Sequence, residues 1–574
     1  MRFPLLSQLL IAIVVSVVSA TTHAAAQPSH DELSAHLDPF RGDRPGIAAM
    51  VLKDGEVVFA EAAGLANLET GESFTLDTPI QTGSLAKQFT AYAVALLEQE
   101  GKLSFGDEVS TYIQELPAYP QQLTIAHLLH HQSGLRDQWG AFWMAGYVPS
   151  DLPEQDAMIR FITKQQSLDF DPGTEYNYSN SNYTLLAEII ERVSGMSYPR
   201  FMAERVFGPL GMASTEAVSE AFSQPKNEAL SYAPAEDGGF DRVPYAAETF
   251  GPHNIVSTAR DLGRWLSQFE DETGTARSFI ADMSAPARLA NGHETIYGMG
   301  LIDFEWLGAR HVHHFGVDAG YRAYIGTYPE AGAGIVLLAN SSDANLPDLS
   351  RELAVAAFPD ALAWERDEDK AAAPLPASLA SRLEGQWRVV SGPALRANRH
   401  PYEGPFGVVG GPLVTISRDG EGLAIGSAWS PPLPFEEGED GRVAVKTRMG
   451  DIVLETENLR RGPINELVLR QYGETRLIRA KKAGSANLAG YEGRYFSDEL
   501  ETFYDVKEED GKLVLSQIRT GTVTLEPEGP EGRFTGPWIY GAVQFETRGG
   551  EEMMLISYGR AKQIPFRKIS SGGR

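Results

Sequence analysis

The stretch "TGSLAKQF", residues 82–89, decides the fold. It sets Ser84 three residues before Lys87, just after the turn residues Thr82-Gly83, where a helix rich in Ala and Leu is expected to begin and run to residue 100. On such a helix Lys87 lies one turn beyond Ser84 on the same face, so its amine can reach the serine oxygen. The helix N-terminus also favours negative charge at that point. Spacing alone does not single this pair out, because Ser223 and Lys226 repeat it. That second pair contains Pro225, which disfavours the helical turn needed to stack the two side chains. Ser223 therefore reads as a loop residue and Ser84 as the candidate nucleophile.

A serine hydroxyl needs a base and a site for the oxyanion. Two downstream segments offer both. "PGTEYNYSNSNYTLLAEIIERVSG", 172–195, holds Tyr178-Ser179-Asn180 ahead of an amphipathic helix over 182–194 that stops at Gly195. "HHFGVDAGYRAY", 313–324, holds His314-Phe315-Gly316 at the expected start of a strand. Each is bland alone, since Tyr-Ser-Asn is usually a turn and a histidine at a strand edge is usually structural.

Their order around Ser84 is not bland. Ser-x-x-Lys at 84, Tyr-x-Asn at 178 and His-x-Gly at 314 resemble the serine penicillin-recognising hydrolases. That group includes class C β-lactamases, D-Ala-D-Ala carboxypeptidases, related esterases and D-aminopeptidases. The resemblance continues through "LTIAHLLHHQSGLRDQW" at 123–139 and "GPHNIVSTARDLGRWL" at 251–266. It implies an α/β domain of the β-lactamase/transpeptidase type, an antiparallel sheet with flanking helices. It also implies roles. Ser84 attacks the carbonyl, and Lys87 and Tyr178 share the proton work, with either one open as the base. Asn180 holds Lys87 and the substrate amide. The backbone N–H groups of Ser84 and Val317 form the oxyanion hole, and Gly316 lets substrate backbone approach the strand. His314 stands where β-lactamases carry a lysine, which removes a permanent charge for a substrate carboxylate and disfavours β-lactam hydrolysis and strict carboxypeptidase action. Phe315 stands where a small residue is usual.

The rest of the chain fits an exported, multidomain protein. Its 574 residues exceed one core. Residues 1–26 read as a signal peptide: Arg2, an apolar run over Leu5–Val18, then Ala24-Ala25-Ala26. A periplasmic or secreted location follows, with no stable membrane span after cleavage. There is no cysteine, which excludes disulfides and thiolate chemistry. The formal charge of −28 disfavours nucleic acid as a partner. His127, His130 and His131 cluster, as do His311, His313 and His314, yet no carboxylate or cysteine completes a ligand set, so no metal or other cofactor is expected. Arg136 and Asp137 read as structural pairs under the site, and Trp139, Phe142 and Trp143 as either a groove or lid packing.

A hydrolase domain is expected over 27–365. It opens with a hairpin at Asp54-Gly55, carries helices at 123–131 and 154–164, and regains strands over 311–340, so that its sheet takes strands from both ends. Residues 366–376 form a charged, Ala/Pro-rich linker. Beyond it a repeat emerges. "LEGQW" at 383–387 matches "YEGRY" at 491–495, and "LVLRQYGETRLIRAKK" at 467–482 matches "MLISYGRAKQIPFRKI" at 554–569. Two small all-β, barrel-like modules follow, 377–482 and 485–574, split at Ala483-Gly484-Ser485. This pairing with His-x-Gly most closely resembles bacterial D-stereospecific aminopeptidases, in which a loop from the last module reaches the active site and shapes recognition of the free amine. The acidic stretch "LEPEGPEGRF", 525–534, is the tempting candidate for that loop, against its reading as a solvated turn.

The expected substrates are therefore small peptides, amides or esters, with peptidoglycan fragments or β-lactams as further partners. An esterase, a peptidoglycan D,D-peptidase and a non-turnover sensor of the same fold remain open. So does a scheme in which the β-modules merely bind cell wall.

Overall fold

The computed structural model describes residues 29–569 apart from 148–150, 152–153, 219–226, 237, 245–248, 270–274, 307, 363–376, 393–394, 396–412, 420–421, 428–429, 438–441, 446–451, 456–462, 472, 481–487, 529–531 and 538–539. Residues 1–26, read above as a signal peptide, the Ser223–Lys226 pair and both expected linkers thus lie outside the described residues.

Asp54 and Gly55 both take positive φ, 50° and 81°, as a two-residue hairpin turn requires. They join strands β1 (Ile47–Lys53) and β2 (Glu56–Ala63). Four later strands complete one antiparallel sheet: β3 (Ile302–Trp306), β4 (Ala309–Asp318), β5 (Tyr321–Tyr328) and β6 (Ala333–Ala339). The order is β3-β4-β5-β6-β1-β2, so β1 pairs with β6 in the register Ile47↔Ala339 to Lys53↔Ala333. The sheet does draw on both ends of the domain. β3 is the strand that the sequence pattern did not signal, and His314 lies within β4 rather than at its start.

Both faces of β1 and β6 are apolar because both are covered, and the strand period of two sorts their residues into separate cores. Ala48, Met50, Leu52, Val336 and Leu338 join the core built with helices α1 (Ala86–Gln99), α3 (Asn180–Ser194) and α4 (Ala259–Ser267). Ile47, Ala49, Val51, Ile335 and Leu337 pack instead with α5 (Leu346–Ala357). α3 starts two residues before its expected start and ends on Gly195, left-handed at φ 69°.

The two C-terminal modules are all antiparallel β. The first is a nine-stranded sheet whose two outermost strands, Ser430–Pro434 and Glu436–Glu437, are separated by one residue, so the sheet curls back on itself. The second is a closed barrel over 493–569. The sequence repeat has a structural meaning, since each "EG" segment opens a strand that pairs with the last strand of its own module: Trp387 with Arg479, Tyr495 with Lys568.

Helix α2 (Gln138–Met144) of the hydrolase domain docks on the closed barrel. Ala141, Met144 and Ala145 share a core with Tyr504, Leu515 and Phe566, and the Tyr504 hydroxyl donates to the Met144 carbonyl at 2.8 Å. Gly140 leaves room for Ala561, whose Cβ would lie 2.9 Å from any Cβ placed there. Beside this contact the fully buried Arg136 spans both domains. Its Nε lies 3.1 Å from Asp169 and donates to the Lys562 carbonyl at 2.8 Å, while its Nη1 reaches Glu499 of the barrel at 3.3 Å. Arg136 and Asp137 therefore do not form a common pair: Arg136 clamps the barrel and Asp137 turns toward the site. Removing one member of a buried charge cluster leaves the others uncompensated. Arg136→Ala should cost about 3–5 kcal/mol by urea unfolding, and should release the barrel to limited proteolysis at denaturant concentrations where the wild type resists.

Candidate active site

Thr82 is tied to Ile255, whose carbonyl accepts from both the Thr82 N–H (2.9 Å) and its hydroxyl (2.7 Å). This fixes a single turn of 3₁₀ helix, Gly83–Leu85, that feeds α1 and leaves Ser84 half-buried. Two glycines let strand β4 press against that turn. A Cβ on Gly83 would sit 2.7 Å from the Val317 nitrogen, and one on Gly316 would sit 1.8 Å from the Thr82 carbonyl oxygen. With no side chain between them, the backbones at Ser84 and at Val317 lie side by side.

Lys87 is fully buried beneath this turn. Its Nζ contacts the Ser84 Oγ at 3.1 Å, the Asn180 Oδ1 at 2.9 Å and the Pro252 carbonyl at 3.2 Å. None of these partners carries charge. Burial, reinforced by the positive charge of Arg560, holds the lysine pKa well below its usual 10.5, against the opposing pull of Asp137 and Asp318. The Tyr178 hydroxyl faces Ser84, and burial pushes its pKa up, so it stays a phenol. Its ring centroid is 4.8 Å from the lysine amine.

Tyr178 is held from both sides by His131. The Asn177 N–H donates to the His131 carbonyl at 2.9 Å, and the Ser179 N–H to the His131 Nδ1 at 3.2 Å. Asn182 Nδ2 lies 3.0 Å from the same Nδ1, and its Oδ1 takes the Ser133 hydroxyl at 2.6 Å, so it is a donor to the ring. The ring's proton is therefore on Nε2. The imidazole packs 4.2 Å from the Tyr178 ring, and burial keeps it neutral. Asn180 is held by Asp137, whose Oδ2 accepts from the Asn180 N–H and Nδ2, each at 2.8 Å. Asp137 also caps α2, through Oδ1 and the Trp139 N–H at 3.1 Å.

His314 closes the other side. Its Nδ1 donates to the Phe315 carbonyl at 2.7 Å, which leaves Nε2 to accept from the Tyr297 hydroxyl at 3.3 Å. Burial lowers its pKa to about 3, so it supplies no positive charge. His253 and Asp318 line a further edge, 4.0 Å apart, with Trp139 stacked over His253 at 6.0 Å. Phe142 and Trp143 point elsewhere: Phe142 packs on Tyr147 and Phe161, and Trp143 meets Tyr558 of the barrel. The clustered histidines have other partners. His130 meets the Gly298 carbonyl, His127 caps its own helix at Thr124, and His311 stacks on His313 while bonding Tyr324.

The last wall comes from the closed barrel. The hairpin between strands Glu551–Tyr558 and Ala561–Ile569 reaches over the site. The Arg560 carbonyl accepts from the Asp137 N–H at 3.1 Å and from Asn177 Nδ2 at 3.4 Å, and its guanidinium lies 5.1 Å from the Tyr178 ring centroid. The described residues of the acidic stretch 525–534 have partners elsewhere, and 529–531 lie outside the described residues. Glu526 pairs with Lys512, while Glu528 takes the Leu413 N–H of the preceding module and faces Arg533. Asp137, His131 and Arg560 are the site residues that sequence reasoning missed. The internal repeat held the one available signal, since it sets Gly559-Arg560 at a hairpin tip opposite Gly473-Glu474 of the other module.

So the structure brings together Ser84, Lys87, Tyr178, Asn180, His314, Gly316 and Val317. A model of the beta-lactamase family matches residues 29–358, more than half of the chain, and the chain belongs to that family. It is 27% identical over 489 residues to a D-aminopeptidase of Cereibacter sphaeroides, covering 84% of this chain and 85% of that protein. It is 31% identical over 282 residues to a D-aminopeptidase of Brucella anthropi, covering 48% of this chain and 52% of that protein. Among solved structures it resembles an octameric penicillin-binding protein homologue from Pyrococcus abyssi, with TM-score 0.51 and 24% identity over 78% of this chain and 98% of that one, a likeness of fold.

Arg560 depresses the Lys87 pKa, so removing its charge should raise it. The Arg560→Ala variant should therefore need a higher pH to reach half its maximal rate of Ser84 acylation by p-nitrophenyl acetate. The nitrophenol burst, followed against pH, reads this directly, and a limb that stays put or moves down contradicts it.

Proposed function

We propose that this chain is an exported serine hydrolase that forms an acyl-enzyme on Ser84 and cleaves amides of D-residues, in the manner of a D-aminopeptidase. One observation carries the chemistry: the Ser84 hydroxyl is bonded to a buried amine that disfavours charge, beside a phenol that keeps its proton. Neutral Lys87 is the base. It takes the Ser84 proton as Oγ bonds to the substrate carbonyl carbon, and the oxyanion is received by the N–H groups of Ser84 and Val317. As the C–N bond breaks, Tyr178 gives its proton to the departing amine and regains one from Lys87. Water then attacks the ester by the reverse relay and frees Ser84. Asn180, fixed by Asp137, orients Lys87 and takes the substrate amide.

The relatives named D-aminopeptidase support the choice of substrate, because one alignment spans most of this chain. Neutral His314 offers no cation of the kind a β-lactam carboxylate requires in β-lactamases, which favours amides over β-lactams. Export to the periplasm or beyond rests on residues 1–26 and fits substrates derived from peptidoglycan.

The test is turnover of D-Ala-p-nitroanilide, L-Ala-p-nitroanilide, p-nitrophenyl acetate and nitrocefin by the mature protein and by Ser84→Ala. The expected result is preference for the D-amide over the L-amide, with Ser84→Ala lowering kcat on the order of 10⁴-fold or more. Ester turnover alone would indicate an esterase, nitrocefin turnover a β-lactamase, and no turnover a sensor. A chain ended near residue 362 should lose amide turnover, because the barrel supplies one wall of the pocket. Retained turnover would make the modules accessory.

A further inference from the structure

We propose that Arg560 forms a carboxylate-binding subsite beside Ser84, so that the preferred amides carry a carboxylate within reach of its guanidinium. This rests on the amide-hydrolase reading above and adds a substrate class to it.

The backbone at Arg560 is fixed. Gly559 turns the hairpin in the left-handed region, at φ 52°, and the Arg560 carbonyl is held by Asp137 and Asn177 of the opposite domain. The side chain is thereby set over the ring of Tyr178, the same ring that flanks Lys87. Its nearest carboxylate, Asp137 Oδ2, is 3.7 Å away and already accepts two short hydrogen bonds from Asn180. The guanidinium makes no hydrogen bond among the described residues, although it carries five N–H donors and its side chain is 22% exposed. A forked cation with free donors, half sunk against an aromatic face, matches a carboxylate in two-point contact.

The surrounding charges strengthen this. His131, His253 and His314 are all kept neutral by burial, and Lys87 is driven the same way. Among the described residues Arg560 is therefore the permanent cation set over the Tyr178 ring beside the nucleophile. The charge that a lysine at position 314 would bring from the sheet comes instead from another domain, on the Asn180 side of Ser84. A carboxylate there has two sources: the side chain of the residue that acylates Ser84, or the terminal carboxylate of the departing residue.

Two substrate pairs distinguish them, each differing by one charge. D-Glu-p-nitroanilide against D-Gln-p-nitroanilide tests the acyl residue, and D-Ala-D-Ala against its C-terminal amide tests the departing one. The wild type should favour the anionic member of one pair by ~10- to 100-fold in kcat/KM, mostly through KM, the range for a charge-assisted contact. Arg560→Ala should erase that ratio and Arg560→Lys should keep part of it. A purely structural Arg560, or one acting only through Lys87, would lower both members alike and leave the ratio intact, which overturns the proposal. So does a wild-type ratio near one in both pairs, a result that needs no variant to fold. Failure to cleave any of the four sinks the D-amide reading instead. The same ratio is then read on p-nitrophenyl acetate and mono-p-nitrophenyl succinate, where equal rates reject the subsite.

Discussion

A fully buried lysine amine whose hydrogen-bond partners are all neutral is the constraint on which the site depends. Lys87 is bonded to a hydroxyl, an amide oxygen and a backbone carbonyl, all neutral. Full ionisation of such a group is expensive, so the amine is driven toward its neutral form, the form that can accept a proton. The rest of the pocket is arranged to keep it there. Asn180 presents its oxygen because Asp137 occupies its nitrogen and its backbone N–H. Tyr178 remains a proton donor because His131 and the surrounding tyrosines bury it. Charge is admitted beside it, as Asp137 of the hydrolase domain and Arg560 of the barrel, which face each other across the domain contact.

The parts that sequence displayed are those set by local chemistry. The hairpin at Asp54-Gly55, the helix after Gly83 and the stop at Gly195 follow from which residues tolerate positive φ or begin a turn. The three motifs were legible because each carries its reactive side chains within a few residues. Their mutual distances were not readable, but their order and the length of the resemblance were. The two β-modules showed through their repeat, although the pattern did not separate a curled nine-stranded sheet from a closed barrel.

What sequence concealed is long-range. Asp137 looks like a helix cap and is one, yet its other oxygen organises Asn180. Arg560 looks like a hairpin tip and is one, yet it completes a pocket begun at Ser84. The acidic stretch 525–534 was attractive on charge alone, and charge is a poor guide when the burial of Glu528 against Arg533 and Leu413 is invisible. β3 escaped notice because "IDFEW" is short and carries two acids.

The clamp through Arg136 and the hairpin at Arg560 also set an order in time. The sheet cannot close until β6 has been synthesised, since β1 and β2 have no other partner on that edge. The pocket cannot close even then. Its last wall is made by residues synthesised long after Ser84, and that wall is seated only when the barrel has folded around α2 and Glu499 has met Arg136. A nascent chain therefore holds its nucleophile in an unfinished pocket until the barrel has been made and docked, and the hydrolase site is finished by the folding of a second domain.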